Sequence, residues 1–464
     1  MCDDLFRNNR QIAMICRGND IQAFPLFSPL TLIQKQPCIN KKAGGTLLTI
    51  IRFELKKMAR STFFRVLLIG CLLFILSYYI YVHIHTLHTD DLILENEADI
   101  SRMQSEINNI EVAIEAGELD AEDKETAGNL EFNKEDIEVK QQEIEHFRNG
   151  EWTPLLNKEI EQYEQHVDNR IFRDEYYSAA WPTLVTEESR LEYHKWLRDK
   201  DITPVYPIDL FSWVTLYDQV YEPPDMEAFL KEFSTKYSST GIYFTNHVFT
   251  FVFNILGACF FLFLFGDMVT KEGLGKNGSI QLLRTQPIRR SKLFIGKFLT
   301  ILLVTFLLLF GTVLLSFILG AIFDRFGDWD YPVLIYGEEF SFSFMNMGTF
   351  LLQSASLFFL VLIFCYSILF LFSIITKKAL VSIGLTIAIL FAGIGLSADS
   401  VMSMIAPYIP FHYFSVREVI TNELALTLEN SSFSFNQGMI VLAVSSLLLW
   451  LVAYGVTILQ KRFS

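Results

Sequence analysis

Apolar residues gather into six runs along the chain, at 63–84, 248–266, 298–323, 350–376, 379–396 and 439–459. Each run is about 18–27 residues long, which lets an α-helix cross the hydrocarbon core of a bilayer. Few charged residues fall deep inside them. The pattern predicts an all-α polytopic membrane protein with six transmembrane helices and excludes a soluble globular class.

A long polar insertion, residues 85–247, separates the first two runs. Its first part carries Ile100, Met103, Ile107, Ile110 and Ile114 at alternating spacings of three and four, with Ile93 one heptad ahead of Ile100. That spacing predicts a helix with one apolar seam of coiled-coil type. An acidic stretch between Gly117 and Gly128 breaks the pattern. A second helical stretch offers Ile137, Ile144, Phe147, Ile160, Tyr163 and Val167 for packing, interrupted by Gly150 and Pro154. The two stretches predict an antiparallel helical hairpin. From 176 to 243 the composition turns to aromatics and prolines, including Trp181, Trp196, Tyr206, Trp213 and Tyr217. This suggests a compact cap close to the membrane, with a short helix over 225–237.

Charge orients the scheme. Residues 85–248 hold 37 Asp or Glu and 14 Lys or Arg, a net of −23, within a chain whose net charge is −14; the remainder therefore carries +9. Basic residues flank alternate ends of the runs: Lys56 and Lys57, Arg289 and Arg290, Lys377 and Lys378, Lys461 and Arg462. By the positive-inside rule these flanks are cytoplasmic. The expectation is a multi-pass protein of the cell membrane, with both termini cytoplasmic and residues 85–247 extracellular. So acidic a block argues against nucleic acid as partner. None of the six cysteines lies in it, and their spacing suggests no zinc site. His83, His85 and His88 are irregularly spaced and read as interfacial, so no metal ligand is expected.

Three segments outside the runs invite a function. Residues 46–61 alternate apolar and basic clusters, as an interfacial helix does. The loop 267–297 is basic and has internal order: Leu282 and Leu283, a break at Pro287, then Arg289, Arg290, Lys292 and Lys297. It reads either as a membrane-retention flank or as a docking element for a cytoplasmic partner. Segment 402–414, with Pro407, Pro410, Phe411 and Tyr413, is apolar but too short to cross, and could dip into the bilayer. Residues 1–45 form an irregular tail, cytoplasmic or preceding the true start.

The order of Glu272, Gly278, Pro287, Arg290 and Lys297 between two spans resembles the loop after the second span of ABC-2 type transporter permeases. The stretch containing Arg52, Phe53, Glu54, Lys56 and Lys57 resembles the family's elbow helix, and Pro410, Phe411 and Tyr413 its re-entrant segment. The resemblance covers 46–84 and 248–464; the 85–247 insertion departs from it. It implies that the loop, through Glu272, Gly278, Leu282, Leu283, Pro287, Arg289, Arg290 and Lys297, contacts a cytoplasmic ABC ATP-binding subunit. It also implies a second permease subunit, identical or related, and surrounding membrane lipid. The chain has no Walker A pattern, zinc-protease motif or nucleophile elbow. No catalytic residue or directly bound cofactor is expected, with ATP and magnesium held by the partner. The expected function is the permease half of an ATP-driven exporter; the alternative is an ABC-linked mechanotransmission or receptor protein acting through 85–247.

Overall fold

The computed structural model describes residues 47–120, 123–172, 182–205, 214–218, 237–270, 290–376, 378–397 and 405–459. Two helices open it, α1 (Leu47–Arg60) and α2 (Thr62–Ile84). Ser61 separates them, and its side chain accepts from the Phe64 amide at the start of α2, the usual role of serine at a helix start. Arg65 turns its guanidinium back to the Arg60 carbonyl, 3.2 Å away, keeping its charge at the polar end of an apolar helix.

The insertion folds as helices. α3 (Thr89–Glu115) and α4 (Lys124–Asn149) pair antiparallel, as Arg148 to Glu97 (2.8 Å) and Lys134 to Glu111 (3.8 Å) show. Met103 and Ile107 are buried in the predicted seam, and Ile144 is buried on α4. The seam also holds buried Asn96 and Asn133. Asn96 donates to Glu143 (3.2 Å) and accepts from Lys140 (3.2 Å), so its amide is satisfied. Lys140 also donates to Asp99 at 2.9 Å and holds that carboxyl below its usual range. Gly150, expected as an interruption, ends α4 in the left-handed conformation at φ 70°, which glycine adopts without steric cost. α5 (Trp152–Phe172) starts directly after it, with Pro154 in the first turn, where its missing N–H costs nothing. α6 (Leu184–Asp199) packs along α5 through Leu184, Leu191, Ile160, Tyr163 and Val167. The second stretch is thus two helices rather than one. Of the short helix expected over 225–237, residues 225–236 lie outside the described residues.

The second apolar run departs from expectation. It forms two helices, α7 (Gly241–Val252) and α8 (Ile255–Thr270), bent by 76°. Asn254 makes the break. Its carbonyl oxygen accepts from the Leu256 amide at 2.8 Å and its amide donates to the Phe251 carbonyl at 2.9 Å, replacing backbone partners that the bend removes. Gly257 completes it, because a Cβ there would lie 1.8 Å from the Val252 carbonyl oxygen.

α9 (Arg290–Phe323) leads to a β-hairpin, β1 (Pro332–Tyr336) and β2 (Phe342–Asn346), which pair antiparallel from Pro332↔Asn346 to Tyr336↔Phe342. α10 (Met347–Thr376) and α11 (Ala379–Ser397) follow. Then come 3-10 turns at Ala406–Tyr408 and Pro410–Phe414, short helices α12 (Val416–Ile420) and α13 (Glu423–Thr427), and α14 (Phe435–Leu459). α10 is the central helix, packed on α8, α11 and α14. Its Phe358 stacks on Phe253 at 4.4 Å, and Tyr366 bonds Thr305 of α9 at 2.8 Å. Among the described residues, α2, α9, α10 and α14 are long and apolar enough to cross a membrane, and the bent pair α7–α8 qualifies as a fifth span. α11 is shorter.

Apolar burial alone drives little association in lipid, so close backbone approach counts for more. Gly320 of α9 and Gly241 of α7 provide it: a Cβ on Gly320 would lie 2.2 Å from the Gly241 Cα. The first amides of α7 donate to the Arg325 and Phe326 carbonyls just past α9 (2.9 and 3.0 Å).

Candidate functional site

Helix α1 buries a stripe of Ile50, Glu54 and Met58, spaced by four, and packs on α9. The helices approach closely at Gly296, where a Cβ would meet Ile50 Cγ2 at 2.7 Å. The seam holds charge. Glu54 is 0% exposed, with the Lys57 ammonium 3.8 Å away, and Lys297, next to Gly296, is 6% exposed. The Lys57 ammonium lowers the large desolvation cost that the buried Glu54 carboxylate would bear alone. Of the elbow residues, Phe53 and Lys56 stay exposed while Glu54 turns into the seam. Helix α1 is thereby fixed to the helix that follows loop 267–297.

Of that loop's named residues, Glu272, Gly278, Leu282, Leu283, Pro287 and Arg289 lie outside the described residues. Arg290 is the first residue of α9, and Lys297 is buried one to two turns further on.

A cleft of about 650 Å³ opens at the α1–α2 joint, lined by Phe53, Lys56, Lys57, Met58, Arg60, Ser61, Thr62, Phe63, Phe64 and Leu264 of α8.

In segment 402–414, residues 402–404 lie outside the described residues, and the rest forms the two 3-10 turns. Pro410 opens the second turn. Phe411 packs on Gly393 of α11, where a Cβ would lie 2.6 Å from its ring. Tyr413 is fully buried against Gly438 of α14, and its hydroxyl donates to the Pro407 carbonyl at 2.6 Å. The segment is wedged among α10, α11 and α14.

The insertion is clamped to the β-hairpin. Tyr193 of α6 shares a hydrogen bond with Tyr331, and both rings are buried. Trp196 donates from Nε1 to the Asp330 carbonyl at 2.8 Å. Lys200 lies 4.0 Å over the Trp196 ring and 3.6 Å from the Asp330 carboxylate. Arg325 donates to the Pro204 carbonyl at 2.9 Å. The hairpin then reaches α12 and α13: the Tyr336 amide donates to the Thr421 carbonyl at 2.9 Å, and Asn422 donates to the Tyr336 carbonyl at 2.9 Å. One chain of contacts therefore joins α6, the hairpin and the turns beside α14.

A polar knot locks the start of α6. The fully buried Asp218 accepts from the Thr183 and Thr215 amides (2.9 and 2.8 Å) and from the Thr186 hydroxyl (2.5 Å). His194, buried against Tyr163, is pushed down to about 3 by desolvation, with nearby Arg190 adding repulsion. His83 and His88 face each other at 4.9 Å, while His85 bonds the Tyr81 carbonyl. Among the described residues no group of three His, Cys, Asp or Glu could hold a metal ion.

Sequence reasoning passed over Asn254, Gly296, Asp218 and Tyr331. Asn254 had a signal, a lone amide inside an apolar run with a glycine three residues on. The other three act through partners distant in sequence.

No curated protein and no solved structure matches the chain. A family model described as ABC-2 family transporter protein matches residues 48–462, nearly the whole chain, and the protein belongs to that family of membrane transport components.

Proposed function

We propose that the chain is the permease subunit of an ATP-driven ABC exporter, working with a separate ATP-binding subunit and a second permease subunit, identical or related. ATP and magnesium belong to that ATP-binding partner. The observation that carries this reading is the union of α1 and α9 at Ile50 and Gly296, within a chain of the ABC-2 family. A push on loop 267–297 would reach α9, and through the Ile50–Gly296 contact it would reach α1. Leu282 and Leu283 serve as apolar anchors for the partner, and Arg289 and Arg290 as its charged contacts. Six spans, both termini cytoplasmic and residues 85–247 outside complete the topology. In it α7–α8 is the second span, α11 the fifth, and the turns before α14 are re-entrant.

The module-to-hairpin clamp favours a second reading, in which ATP-driven motion is delivered outward through α6 to an extracellular partner. Continuity from Thr421 through Tyr336 to Tyr331 and Tyr193 supports it.

Co-purification with the ATP-binding subunit and single-cysteine labelling in a background without native cysteines test both readings. Ser105 is exposed on α3, whereas Ser238, just ahead of α7, is buried and uninformative. An impermeant reagent added outside should label Ser105→Cys and miss Ser291→Cys. The reverse pattern, or no co-purification, contradicts the proposal.

A further inference from the structure

The cleft at the α1–α2 joint combines a cationic rim with apolar walls. Lys56 and Arg60 are one turn apart on α1 and both exposed, so their side chains project from the same helix face. Among the described residues that line it there is no carboxylate. The nearest acid on α1, Glu54, is buried in the α9 seam and faces Lys57 instead. The first turn of α2, beginning at Thr62, adds the positive end of its backbone dipole and contains no acidic residue. The walls are Phe53, Phe63 and Leu264. Beyond them the face of α2 stays apolar and exposed through Val66, Ile69 and Leu73. A volume of about 650 Å³ is in the range of small-ligand sites.

We propose that this cleft binds one anionic phospholipid, with its phosphate between Lys56 and Arg60 and its acyl chains running along Phe53, Phe63 and Leu264 onto α2. Two cations at this spacing present several donors to phosphate oxygens, which charge-assisted hydrogen bonds favour. A choline headgroup would bring its own positive charge against the same rim. A free phosphate would gain nothing from the phenylalanine walls, so charge and apolar surface together select a lipid. The occupant would touch α1, α2 and α8 at once and hold the joint between the α1–α9 unit and the bent pair.

The test is native mass spectrometry of the full-length protein in detergent, titrated separately with phosphatidylglycerol, phosphatidylcholine and inorganic phosphate. Phosphatidylglycerol should bind as one retained lipid and phosphatidylcholine more weakly. Lys56→Gln and Arg60→Gln should each weaken phosphatidylglycerol by about five-fold. Arg52→Gln, on the same helix but outside the cleft lining, should change it less than about two-fold. Leu264→Trp, which fills the apolar wall, should lower retention with the cationic rim intact. Equal losses in Arg52→Gln would show a diffuse basic surface and overturn the proposal. Equal retention of phosphatidylcholine, or displacement of phosphatidylglycerol by inorganic phosphate, would overturn it as well.

Discussion

The Tyr193–Tyr331 bond is the sharpest probe of the clamp between the insertion and the hairpin. Both rings are buried, at 4% and 2% exposure, and Tyr331 also accepts from the Val205 backbone. Burial raises the pKa of both hydroxyls, so both are neutral and their bond is between uncharged groups. Such a bond contributes about 0.5–1.5 kcal/mol net, and stranding one buried partner costs about 1–3 kcal/mol. Tyr193→Phe should therefore destabilise the α6–hairpin contact by about 1–2 kcal/mol. Tyr331→Phe should cost more, because the Val205 amide loses its acceptor too. The double variant should cost no more than Tyr331→Phe alone, a coupling of about 1–2 kcal/mol. Hydrogen–deuterium exchange of α6 and β1 amides in the membrane-embedded protein would measure this cycle. Strictly additive single costs, or faster exchange in α6 with β1 unchanged, would refute a shared bond linking the two.

Two further predictions concern the insertion. Ile107→Asp places an unpaired charge in the α3–α4 seam and should destabilise that pair by about 2–4 kcal/mol; a helical circular dichroism signal and melting temperature equal to wild type would disprove burial there. His194 sits far below its unfolded value, so the unfolded chain binds the extra proton between about pH 6.5 and 3. The stability of α5–α6 packing should be complete above pH 6.5 and fall by roughly 3 kcal/mol between pH 7 and 4. His194→Phe should remove that part of the acid sensitivity, and a variant with an unchanged pH profile would contradict the assignment.

Much of the architecture is visible along the chain because lipid demands long uninterrupted apolar helices, and α2, α9, α10 and α14 answer that demand directly. The 3-4 seam of α3 is equally local, and Met103 and Ile107 take their expected buried places. Asn96 escaped notice because a position in an apolar seam accepts an amide once Lys140 and Glu143 satisfy it. The bend between α7 and α8 depends on how one side chain replaces backbone bonds, which hydropathy does not register. The hairpin 332–346 lies between two apolar runs, and hydropathy does not register it. Its importance comes from Tyr193, Trp196 and Thr421, all far away in sequence. The structure packs α1 on α9 and buries Lys297, while the proposed coupling role of the loop rests on the sequence pattern.

The central claim is that loop 267–297 couples this chain to a separate ATPase. Its most direct measurement is the rate of ATP hydrolysis by the ATP-binding subunit in lipid vesicles, alone, with the wild-type chain, and with Leu283→Asp. The variant must first be shown to be correctly inserted. The account predicts that the wild-type chain forms a complex and changes the hydrolysis rate, and that Leu283→Asp loses both effects. Complex formation and hydrolysis that are identical with wild type and Leu283→Asp would contradict it, leaving the loop as a charged membrane flank.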